Sequence, residues 1–183
     1  MGLFSFLRRE NPFQAAAVAI YNAIVAQART AVFYSELGVP DSLNGRFDMV
    51  VLHATLAIRR VRKEPPEIYQ PLSQALFDYM FQDMDRSLRE VGVGDMSIGK
   101  HIKKMAKGFY GRAGEYEAGL DQDGAGLAEA LKRNLYRALT PGEAQVDQLA
   151  RYVRAADAAL SGVEFADFAA GRMAWPEVRV AGA

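Results

Sequence analysis

The chain of 183 residues contains no cysteine. That excludes a disulfide framework, a thiolate nucleophile and any cysteine-held metal or cluster. Its two histidines, His53 and His101, stand far apart with no histidine four residues away, so a histidine-based metal site is not expected. Net charge is also missing: 22 Lys and Arg against 22 Asp and Glu leave no global pull toward nucleic acid or anionic lipid, and any attraction must be local. The most apolar run, Phe13 to Val25, is interrupted by Gln14 and Asn22 and is shorter than the roughly 20 residues a bilayer span needs. The opening MGLFSFLRRENP puts its arginines after its apolar residues, unlike a secretory signal, and Phe6 breaks the myristoylation pattern. No nucleophile elbow or nucleotide-binding glycine loop is present, since Gly92-Val93-Gly94 lacks a preceding strand pattern.

The residues present fit an ordinary globular chain: 50% hydrophobic, 10% aromatic and 24% charged residues support one core. The expectation is a cytoplasmic, all-α protein, a single compact bundle of about six main helices over 11–183. Residues 1–10 read as a flexible or interfacial terminus, in which Leu3, Phe4, Phe6 and Leu7 beside Arg8 and Arg9 allow peripheral contact with the inner membrane. Asn11 and Pro12 open a helix reaching about Leu37, broken near Thr30 and stopped by Gly38 and Pro40. Further helices are predicted over about 46–63, 72–91, 98–120 and 127–139, with Glu64-Pro65-Pro66-Glu67 as a stiff connector. Thr140-Pro141-Gly142-Glu143 reads as a capping box opening a last helix through Leu160, and Phe165, Phe168 and Trp175 are expected to pack on the bundle. No strand-like alternation of useful length is found.

The segment 98–120 is the most informative on a helical wheel. Ile98, Ile102, Met105, Phe109, Tyr116 and Leu120 share one side, with Lys100, Lys103, Lys104 and Lys107 opposite. That cationic strip is either a solvated face or a docking strip for an acidic partner or a phosphate backbone. Arg59, Arg60, Arg62 and Lys63 close an earlier helix, where cations meet its partial negative end, and with Arg112 they extend the candidate basic face. Gly108, Gly111 and Gly114 each weaken a helix by about 1 kcal/mol, so either another backbone approaches there or the helix bends. Asp83 and Asp85 point about 200° apart on a helix and cannot share a metal or proton, while Asp85 and Arg89 form an ordinary ion pair one turn apart. A helical enzyme built on His53 or these carboxylates would need a concave site with perturbed groups.

Three blocks, YSELGVPDSLNGRFDMVVLH, LFDYMFQDMDRSLREVGVGDMSIGKHIKKMAKGFYGR and EALKRNLY, together resemble the ubiquinol-cytochrome c chaperone family, in the family's order, over about 33–139. The resemblance implies a helical, non-enzymatic assembly factor that binds newly made cytochrome b during biogenesis of respiratory complex III. It also implies related proteins in alphaproteobacteria and, for mitochondrial members, a small partner protein and contact with the ribosome near its exit tunnel. No cofactor, DNA or small-molecule substrate is expected. A client with apolar helices and Lys- and Arg-rich cytoplasmic loops calls for an apolar groove and acidic groups. Phe47, Phe77, Phe81 and Met84 are candidates for the groove, or else core residues; Asp48, Asp83, Asp85 and Asp95 are candidates for the acids. Arg46 and Asp48 read as an exposed polar pair beside the Gly38-to-Asn44 turn. The competing reading is a ribosome- or RNA-binding module using the lysine strip and the Arg59 to Lys63 cluster, with affinity falling steeply with salt.

Overall fold

The computed structural model describes residues 12–90, 92–122, 124–137 and 139–178. Helix α1 is Gln14–Ala28, α2 Val32–Ser35, α3 Leu43–Val61, α4 Pro66–Glu90, α5 Asp95–Asp121 and α6 Gly126–Leu131; a π-helical turn, Lys132–Tyr136, leads to α7 (Glu143–Ser161) and α8 (Phe165–Ala169). The described residues contain no strand. The all-α expectation therefore holds. The residues 1–11, with the apolar terminus and the Asn11 cap, lie outside the described residues, as does the side chain of Asp95.

The central element is α3. Its residues from Asp48 to Ala57 are buried without interruption, which requires partners on every side. Helices α1, α4, α5 and α7 supply them. Gln14–Ser35 is long and apolar enough to cross a membrane by length and composition, but the chain breaks at Arg29–Ala31 as predicted. Ala17, Ile20, Ile24 and Ala28 of its first part pack into the core, where α1 meets α3 and α4.

The Gly38-to-Asn44 knot is a compact bend with fixed chemistry. Gly38 adopts φ +69°, a left-handed conformation that favours glycine. The Ser42 hydroxyl caps α3 by accepting from the Gly45 N–H at 3.1 Å. A Cβ on Gly45 would lie 1.9 Å from the Pro40 carbonyl oxygen, so only glycine permits this entry into α3.

Several boundaries differ from the sequence reading. Helix α4 starts at Pro66, six residues before the predicted start, because proline suits a first helical turn, and α4 tolerates Pro71 near that end. The last long helix starts at Glu143, with Gly142 rather than Thr140 at its cap; Gln145 Oε1 accepts from the Gly142 N–H at 3.0 Å. The predicted helix over 127–139 turns π-helical at Lys132 and stops at Arg137, whose φ is +40°. The close-approach glycine of α5 is Gly119, where a Cβ would meet the Leu127 Cα at 2.7 Å; Gly111 and Gly114 face open space. Phe168 is buried and Trp175 packs edge-on against the His53 ring at 5.2 Å, so the tail does cover the bundle.

Candidate functional site

Helices α1 and α5 both pack on α3 and α4 and not closely on each other. Residues of all four helices line an open cleft of about 820 Å³, with α1 and α5 as its walls. Its floor is apolar: Phe47 and Val50 from α3, Met84 and Leu88 from α4, Val25 from α1 and Met105 from α5. Leu43, 61% exposed, stands at the rim. Methionines suit a floor that must fit more than one shape, because the unbranched thioether side chain re-packs easily.

The lining carries six arginines and lysines, Arg29, Arg46, Lys104, Lys107, Arg112 and Arg137, against one carboxylate, Asp83. Asp83 is itself engaged: the Tyr21 hydroxyl donates to it at 2.9 Å and Arg86 pairs with it. Below the cleft lies Asp48, only 1% exposed. Arg137 Nη2 donates to both its oxygens, at 3.0 and 2.8 Å, and Arg112 Nε stands 3.3 Å away. Burial pushes the Asp48 carboxyl up to about 6 against the pull of the two guanidiniums, so it is still ionised at neutral pH. Arg112 also lies 5.7 Å from the centre of the Phe47 ring.

Two backbone features build this cluster. The π turn inserts an extra residue into the helix and rotates the segment beyond it, and Arg137 takes its unusual φ at that point. Gly108 lies under the Arg112 guanidinium, where a Cβ would meet Nη1 at 2.9 Å. Nη1 is buried and has no hydrogen-bond partner.

The predicted site residues divide sharply. The cleft brings together Arg46, Phe47, Met84, Asp83, Lys104, Lys107 and Arg112. Asp48 is corrected: it is a buried counter-ion, and the exposed partner of Arg46 is Asp41, at 2.6 Å. Phe81 is 8% exposed and belongs to the core. Phe77 lines a separate, smaller hollow of about 390 Å³ and stacks on exposed Tyr110 with ring centres 5.3 Å apart. Asp85 accepts from Arg89 at 2.8 Å, the pair expected from spacing.

The basic face also splits. Arg60 is 7% exposed and donates to the Val163 carbonyl and to Glu64, which removes it from any surface. Arg59 binds Asp157 and Asp121, and Arg62 binds Glu117, so the chain's own carboxylates neutralise that cluster, leaving Lys63 exposed beside it. Lys100, Lys103, Lys104 and Lys107 are exposed and take part in none of the ion pairs among the described residues. The strip survives; the patch that joined it to Arg59 and Arg60 does not.

His53 is fully buried and both its nitrogens are committed: Nδ1–H donates to the Met49 carbonyl at 2.8 Å, and the Tyr152 hydroxyl donates to Nε2 at 2.8 Å. Tyr152 in turn accepts from Gln27 at 2.9 Å. This is a core network sealed by Phe33 and Trp175, with no face open to a substrate. Among the described residues no three His, Asp or Glu side chains gather as metal ligands.

Sequence reasoning missed Arg29, Tyr21, Leu88 and Arg137. Tyr21 and Leu88 sit on helix faces, and Arg29 just past the end of α1, all unremarkable until α1 and α4 meet; Arg137 is hidden by the π turn, which breaks the 3.6-residue count a helical wheel assumes.

Fold and cleft together define an all-α domain with an open, apolar-floored cleft. The chain belongs to the ubiquinol-cytochrome C chaperone family, whose pattern matches residues 35–175. It is similar to the crystal structure of the Cbp3 homologue from Brucella abortus, with 38% identity and a TM-score of 0.78, covering 90% of this chain and 91% of that one. A mouse protein, ubiquinol-cytochrome c reductase complex assembly factor 1, is 26% identical over 139 residues, 76% of this chain and 47% of its own. Yeast protein CBP3, mitochondrial, is 27% identical over 157 residues, 81% of this chain and 46% of its own. The chain thus spans about half the length of these two relatives.

Proposed function

We propose that this protein is a non-enzymatic assembly chaperone that binds newly synthesised cytochrome b and assists biogenesis of the ubiquinol-cytochrome c reductase, working at the cytoplasmic face of the inner membrane. The observation that carries the reading is the open cleft with its apolar floor, whose α3, α4 and α5 residues lie within the family match. An unfinished membrane subunit exposes apolar helix surface to water, and about 25 cal/mol is released for each Å² it buries. A cleft of this kind offers that surface a temporary partner. The complex III relatives support the same assembly role.

Deleting the gene in the organism that carries it is expected to lower assembled complex III, measured by native gels and b-haem difference spectra, with the other respiratory complexes unaffected. Normal complex III in the deletion strain refutes the proposal. In the complemented strain, Met105→Glu places a carboxylate in the half-buried floor and is expected to reproduce the defect while the protein accumulates normally.

A further inference from the structure

We propose that the cleft recognises an acidic amphipathic helix: an apolar stripe flanked on both sides by carboxylates, presented by a partner protein. This narrows the docking role proposed above and rests on it. Positively charged cytoplasmic loops of a membrane client, the partner expected from the sequence, fit this cleft poorly, because the lining holds six Arg and Lys and its one carboxylate is already engaged.

The placement of charge selects the shape of the occupant. Arg29 stands at the end of the α1 wall, Lys104 and Lys107 on the α5 wall, and the apolar floor of α3 and α4 lies between them. These three cations are exposed and have no carboxylate partner among the described ion pairs, so they are free to meet one. A lipid would present one anionic headgroup and needs cations at one end of an apolar slot. A helix about 10 Å across, with acids on both flanks of its stripe, meets cations on both walls at once.

A second feature points the same way. Arg112 and Arg137 share a single carboxylate, Asp48, so this edge of the cleft keeps a net positive charge. A carboxylate on the occupant meets that charge at Arg137, which is 46% exposed.

The probes are two fluorescent helical peptides of roughly 18 residues, about five turns, with the same Leu and Met stripe; one carries Glu on both flanks and the other Lys. Fluorescence anisotropy with the full chain is expected to show binding of the Glu peptide at least about tenfold tighter than the Lys peptide, weakening as salt rises. Lys104→Glu with Lys107→Glu is expected to abolish or invert that preference; both residues are exposed, and circular dichroism checks that the fold is kept. Equal binding of both peptides overturns the acidic preference and leaves the docking role standing. Binding of neither overturns the inference, and normal complex III with Met105→Glu then shows that the docking role falls with it. Co-sedimentation with phosphatidylglycerol vesicles that is lost in the double-lysine variant, without peptide binding, assigns the cleft to lipid and also overturns the inference.

Discussion

Protonation of His53 opens a direct test of the core. Its imidazole is fully buried between the Met49 carbonyl and the Tyr152 hydroxyl, and burial, partly opposed by the Met49 bond, lowers its pKa from 6.5 to about 4. In the unfolded chain the ring takes up a proton below about 6.5; in the folded chain it does so only near 4. Between those values the unfolded state holds more protons, so stability rises with pH across the window. The contribution is complete above pH 6.5 and is lost as the pH falls toward 4. At about 1.4 kcal/mol for each tenfold change in proton affinity, the loss is about 3 kcal/mol. That is a large share of the roughly 5–15 kcal/mol that holds a typical domain together. With a urea dependence of about 2 kcal/mol per molar, the midpoint should fall by about 1.5 M between pH 7 and pH 4. His53→Gln keeps a polar side chain that does not titrate, so its midpoint should change less over the same range, and the difference between the two curves isolates this ring from Asp48 and other acids. Parallel curves refute the reasoning. So does a histidine resonance, assigned to His53 by its absence in the variant, that titrates near pH 6.5 in the folded protein.

The remaining predictions concern the cleft's foundations and the glycines. Asp48→Ala leaves two guanidiniums without their counter-ion and should destabilise the protein by about 3–5 kcal/mol in urea titrations. Asp48→Leu with Arg112→Met should recover most of that loss, because Arg137 is 46% exposed and regains water. Gly119→Ala should lower the thermal midpoint, forcing α5 and α6 apart at a cost of about 1–3 kcal/mol, since the clash is with backbone. Gly111→Ala, facing open space, should raise stability by about 1 kcal/mol. If both glycine variants behave alike, the assignment of the close approach to Gly119 is wrong.

Much of the architecture is already written in the chain. The 3.6-residue repeat of apolar side chains defines the long helices, and the stop at Gly38 and the break near Thr30 arise from local backbone chemistry. The lysine strip of α5 and the ion pair of Asp85 with Arg89 are also local, because helix geometry alone places their members. The motif blocks carried the family, since they record particular residues in order and not merely a period. Contacts between elements were not legible. Asp48 looks like one more polar residue at a helix start until Arg112 and Arg137, far along the chain, close on it. Arg59 and Arg60 look like a basic patch until α5, α7 and the Val163 turn bring acceptors to them. The sign of the cleft, expected acidic and found cationic, was decided the same way. Sequence determines which side chains a helix can show, because that depends on neighbours a turn away. Only packing determines which charges are cancelled and which stay free, because cancellation depends on groups that meet only when the helices do.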